Sequence, residues 1–190
     1  MSRLELLDLA GDHFLELVAL TDDVSWDRAT PCEDWNVGQL VDHVIGGNRF
    51  TAEILGGATA ADALAATKAS FAEMTDRPAA VRASLSAQAH AFSTSGALDR
   101  ICHHVAGDMP GKMVLGFRLT DLTVHGWDLA RVIGADDTIP HPLVEAVWNN
   151  VRRTTDQMAG SGLFGDGPSA TLPEDADLQA RLIDATGRRG

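Results

Sequence analysis

The stretch from Gly111 to Ile133 constrains this chain most. It is opened by Asp108 and Pro110, is closed by Gly134, and carries apolar residues at helical spacing throughout. At about 100° per residue, such a helix sets Lys112, Gly116, Thr120, Thr123, Trp127 and Arg131 on one side. Val114, Leu115, Phe117, Leu119, Leu122, Leu129, Val132 and Ile133 take the other. Arg118, Asp121 and His125 fall inside the apolar side. Charged groups are excluded from such a face unless they are paired, hydrogen-bonded or bound to a metal. The fold has to bring partners to these three residues.

The rest of the chain also reads as helices. Ser2 and Glu5 form a capping box ahead of Leu4, Leu7, Phe14, Leu15 and Val18, which predicts a helix to about Leu20. Asn36 can cap, Gln39 can reach back and Trp35 can staple onto Leu40, so a second helix is expected from Val37 to about Leu55. Further helices are expected over Thr59 to Met74 and from Asp76 and Pro78 to about Phe92. Residues 98–105 read as a loop or small hairpin. A helix from Pro142 to about Ala159, a Gly-rich loop over Gly160 to Pro168 and a short helix over Asp175 to Thr186 complete the chain. The absence of Tyr, the 5% aromatic content and the Ala-rich run from Ala58 to Ala72 disfavour strands, so an all-α fold in one domain over 1–190 is expected.

Charge and composition exclude several functions. Fifteen basic against 27 acidic residues leave a net charge of −12, which repels a phosphate backbone, and nucleic acid is not an expected partner. No stretch approaches the ~18 uncharged residues of a membrane span, and the N-terminus lacks a secretory pattern, so a cytoplasmic protein is expected. Cys32 and Cys102 stand alone, which argues against a disulfide scaffold or a thiolate zinc site. Cys32 reads as a packed thiol.

Asp121 and His125 are one helical turn apart, with β-carbons roughly 5–6 Å from each other, so both can reach one cation. His43, among Leu40, Val44, Phe50 and Ile54, is the natural third ligand. Two imidazoles and a carboxylate form the open donor set of catalytic zinc and non-haem iron centres. An Asp and a His at this spacing also suit a plain hydrogen bond, and that reading stays open. Asp128 can accept from an imidazole, and Arg118 can hold a substrate carboxylate or pair with Asp121 or Asp128. Trp127 is expected to pack against a neighbouring segment or a second subunit. His103 and His104 are expected at the surface or hydrogen-bonded, and His13, His90 and His141 to be solvated.

The string Thr30-Pro31-Cys32-Glu33-Asp34-Trp35-Asn36-Val37, followed by Leu40-Val41-Asp42-His43, and the string Asp121-Leu122-Thr123-Val124-His125-Gly126-Trp127-Asp128-Leu129-Ala130 carry a resemblance. Both resemble motifs of the DinB-like bundles typified by the metal-binding domain of mycothiol-dependent maleylpyruvate isomerase, and Leu178 to Arg188 resembles the C-terminal end of one subgroup. The resemblance implies an up-down-down-up four-helix bundle with a divalent metal on His43, Asp121 and His125, zinc favoured over nickel, iron or manganese. It further implies a mycothiol-type thiol as cosubstrate, a small electrophile as its partner, and transferase or isomerase chemistry in which Arg118 can be catalytic. A non-enzymatic, stress-linked metal-binding bundle is the alternative, and a homodimer fits either. Two departures stand out: isomerase members carry Glu where this chain has Asp121, and the residues after Gly160 are few for the second domain those members use on substrate.

Overall fold

The computed structural model describes residues 1–32, 35–152, 167–169 and 171–188. Their order is α1 (Arg3–Leu20), α2 (Val37–Leu55), α3 (Ala60–Phe71), α4 (Arg77–Ser93), β1 (Ile101–His104), β2 (Gly107–Pro110), α5 (Gly111–Ile133), α6 (His141–Val151) and α7 (Leu178–Ala185). The expected Gly-rich loop and the end of the expected 142–159 helix lie largely outside the described residues.

Local chemistry sets the helix starts. The Ser2 hydroxyl accepts from the Glu5 N–H at 3.2 Å while the Glu5 carboxylate accepts from the Ser2 N–H at 2.6 Å. Asn36 and Gln39 repeat this reciprocal box at 2.8 and 2.9 Å, so α2 begins at Val37 as expected. Thr59, Asp76 and Asp177 cap α3, α4 and α7. α5 differs. Pro110 occupies its N-cap position without a side-chain bond, and Asp108, read above as the start signal, instead pairs with His103 Nδ1 at 2.8 Å across the hairpin. Gly134 ends α5 at φ 71°, the left-handed conformation that favours glycine. The loop-or-hairpin reading resolves as an antiparallel hairpin that runs past 105 to Pro110, with His104 opposite Gly107.

The four long helices close a ring in which α1 and α2 each pack on both α4 and α5. Phe14, Leu40, Ile45, Ile54, Leu115, Leu119 and Leu122 fill its centre. α5 is also covered by α6 and the hairpin. The two-sided reading of α5 is therefore corrected: Thr120, Thr123 and Trp127, placed above on its polar side, are buried, whereas Phe117 is exposed. Burial costs the two threonines little, because their hydroxyls donate to the carbonyls of Gly116 and Leu119 at 3.0 and 2.8 Å.

Candidate metal centre

α2 and α5 pack against each other, and their facing turns carry the three residues singled out above. His43 projects from the second turn of α2, and Asp121 and His125 from successive turns in the middle of α5. Asp121 Oδ1 lies 3.0 Å from His43 Nε2 and 3.5 Å from His125 Nε2. Donor atoms of all three lie within 4.8 Å of one another, and among the described residues this is the cluster of His, Cys, Asp and Glu that could hold an ion. Donor atoms around a tetrahedral zinc at ~2.0–2.1 Å stand about 3.3 Å apart, so the two separations from Asp121 Oδ1 suit such a cation. Exposure falls from 37% for the His43 side chain to 16% for Asp121 and 8% for His125, which makes His43 the solvent side of the cluster.

Each member has a supporting contact. Asp128, one turn beyond His125, accepts from its Nδ1–H at 2.9 Å and so directs Nε2 towards Asp121. Asp128 is in turn clamped by Arg188, whose Nε and Nη2 donate at 3.1 and 2.8 Å to its two oxygens. Arg118 Nη1 donates to Asp121 Oδ2 at 2.8 Å, so of the two roles expected for this arginine the pairing with Asp121 is the one seen. Trp35 lies over the imidazoles, its ring centroid 4.6 Å from that of His43 and 5.8 Å from that of His125.

The charges follow from these contacts. Burial raises the Asp121 carboxyl, but Arg118 and the two imidazoles overcome it and hold the group well below the usual carboxylate range. Burial lowers His125, yet the carboxylates of Asp121 and Asp128 push it up to about 9. Asp128 is held down against its own burial by hydrogen bonds from His125 and Arg188.

The remaining expectations divide. His103 and His104 are hydrogen-bonded as expected, the latter through Nδ1, which accepts from the Ala106 N–H at 3.1 Å. His90 and His141 are exposed, whereas His13, expected to be solvated, is half-buried and its pKa is lowered by that burial. Trp127 packs as expected against a neighbouring segment, lining a cavity of about 410 Å³ with Ile183 and Arg188. A second cavity of about 400 Å³ lies between α1 and α4, and neither cavity includes the triad. Arg188 and the placement of Trp35 over the imidazoles escaped sequence reasoning. Trp35 is eight residues before His43 and had a sufficient role as a helix staple, and an arginine 60 residues from its partner leaves no local trace.

Comparison with known proteins agrees with this architecture. Two crystal structures of the mycothiol-dependent maleylpyruvate isomerase, one of them a His-to-Ala mutant, superpose with TM-scores of 0.60 and 0.63 at 19% and 18% identity. Each alignment covers 82% of this chain, and 71% and 70% of the respective isomerase chain. The shared fold is the DinB-like four-helix bundle expected above. The uncharacterized proteins MT0763 and Rv0738, from two strains of Mycobacterium tuberculosis, are each 30% identical over 141 residues, 72% of this chain and 70% of theirs. Residues 7–130 match the family described as the mycothiol maleylpyruvate isomerase N-terminal domain, a span that includes His43, Asp121, His125 and Asp128, and the chain belongs to that family.

Proposed function

We propose that this chain, acting as one domain over 1–190, binds a divalent cation, zinc by preference, through His43, Asp121 and His125. With a thiol of the mycothiol type it either joins that thiol through its sulfur to a small electrophile or isomerises the electrophile. The observation that carries this reading is the convergence of donors 78 residues apart on facing helices, at separations that suit one cation. The family name and the isomerases that share the fold support mycothiol as the thiol.

A cation held there lowers the pKa of a bound thiol and keeps the sulfur as the nucleophilic thiolate. The chain's own residues do the rest. Asp128 fixes the His125 ring by accepting at Nδ1, and Arg188 balances the charge on Asp128. Trp35 shields one side of both imidazoles, and the exposed edge of His43 is where a thiol and its electrophile can approach. A second reading, a cation that only staples α2 to α5, is favoured by one observation: the two cavities described above are lined by residues other than the triad.

Metal analysis of zinc-loaded wild type and His125→Ala tests the site. Retention of stoichiometric zinc by the wild type and its loss from the variant are expected, and equal content in both removes the assignment. Thiol consumption by the loaded wild type, offered mycothiol and a panel of small electrophiles, then decides between the readings. No turnover across the panel leaves the stapling role.

A further inference from the structure

Arg118 is the most heavily bonded side chain beneath the triad, and its surroundings show why it is there. Nε donates to Gln88 Oε1 at 3.0 Å, Nη2 to Asn48 Oδ1 at 2.8 Å and to the Val44 carbonyl at 3.4 Å, and Nη1 to Asp121 Oδ2 at 2.8 Å. These bonds join α2, α4 and α5. The Asn48 amide is itself oriented, since its Nδ2 donates to Ser84 Oγ at 3.0 Å and Ser84 donates onward to the Val81 carbonyl at 2.9 Å. Space is provided by Gly47, where an added Cβ would overlap the guanidinium, 2.8 Å from Cζ. Four of the five N–H groups are thus engaged within the protein, and the side chain is buried.

We propose that Arg118 is a positioning residue that makes Asp121 present a single oxygen to the cation. By occupying Oδ2 from the fixed seat over Gly47, it leaves only Oδ1 turned towards His43 and His125. This inference rests on the metal-binding reading above and deepens it. With one oxygen from Asp121, the chain supplies three donor atoms, and a four-coordinate cation keeps a position for the thiol sulfur. A carboxylate released from Arg118 can turn and offer both oxygens, which fills that position. The same geometry commits four of the five Arg118 N–H groups to Gln88, Asn48, Val44 and Asp121, so its part is to orient the carboxylate from within the bundle.

The test compares wild type with Gly47→Ala, Arg118→Gln and Arg118→Lys, using cobalt(II) as a visible probe and a chelator titration for zinc. Gly47→Ala leaves the triad residues themselves unchanged yet displaces the guanidinium, whose atoms are the three nearest to the added Cβ, so it carries the test if Arg118→Gln does not fold by circular dichroism. Both Gly47→Ala and Arg118→Gln are expected to weaken zinc binding about 10- to 100-fold. In both, the cobalt absorption should shift towards that of a more highly coordinated ion, and added thiol should perturb it less. Arg118→Lys, which keeps the charge but not the fork, should fall between wild type and Arg118→Gln. Weaker zinc binding with an unchanged cobalt spectrum means a merely structural residue and overturns the proposal, as do variants indistinguishable from wild type. A wild type that binds neither ion overturns the metal-binding reading itself, whereas a wild type that binds with unaffected variants overturns this inference alone.

Discussion

His125 is subject to opposing forces whose balance can be measured. Burial favours its neutral form, but carboxylates at both ring nitrogens win and push its pKa up to about 9. The metal-free protein therefore carries an imidazolium at pH 7, held between Asp121 and Asp128. Because the folded pKa lies above the unfolded value of about 6.5, this group adds stability that is fully present below pH ~6.5 and is lost as pH rises through about 9. The contribution is on the order of 3 kcal/mol, seen by calorimetry as a falling Tm of the metal-free protein across that window. On the proposed metal-binding reading, zinc displaces the same proton. Calorimetric titration in buffers of different ionisation enthalpy should show about one proton released from His125 per zinc at pH 7, declining above pH ~9, with affinity rising about tenfold per pH unit below it. His43, Asp121 and His125 were legible in the sequence because each breaks an apolar helical face. Arg188 and the position of Trp35 were not, since one acts across 60 residues and the other fits a purely local role.

α2 and α5 differ in how much of their structure is local. The start of α2 is specified by neighbours three residues apart, Asn36 and Gln39, whose side chains satisfy each other's backbone N–H groups. Asn36→Ala should remove about 1 kcal/mol and lower Tm by about 2–4 °C, and thermal melts monitored by circular dichroism would show it. For α5 the boundaries were equally readable, but its sidedness was not. A helix wrapped by α1, α2, α6 and a hairpin has almost no polar face to keep, and threonines that bond their own backbone can be buried with the leucines. The hairpin before α5 is a case of competing signals. Asp108 was available as a helix cap, and pairing with His103 across two strands claimed it instead.

Arg188, just beyond α7, reaches the buried Asp128 of α5 and completes a chain of contacts from the C-terminal segment through Asp128 to His125. Whatever orders His125 should then order this segment, and the coupling must be reciprocal. Zinc loading is expected to slow hydrogen exchange of the α7 amides, and Arg188→Gln to abolish that difference while weakening zinc binding. Unchanged α7 protection on zinc loading of the wild type would show that the two ends of the chain of contacts are independent. The starts of α1 to α4 and the all-α class were settled along the chain itself, because caps and apolar periodicity act over three or four residues. So were the two imidazoles and the carboxylate of the candidate site, which betray themselves by sitting where charge is costly. Their supporting groups came only with the packed bundle. Arg118 over Gly47, Arg188 on Asp128 and Trp35 over His43 are contacts between elements or loops whose relative placement is governed by burial of the shared core, and burial acts through space without leaving a pattern along the sequence.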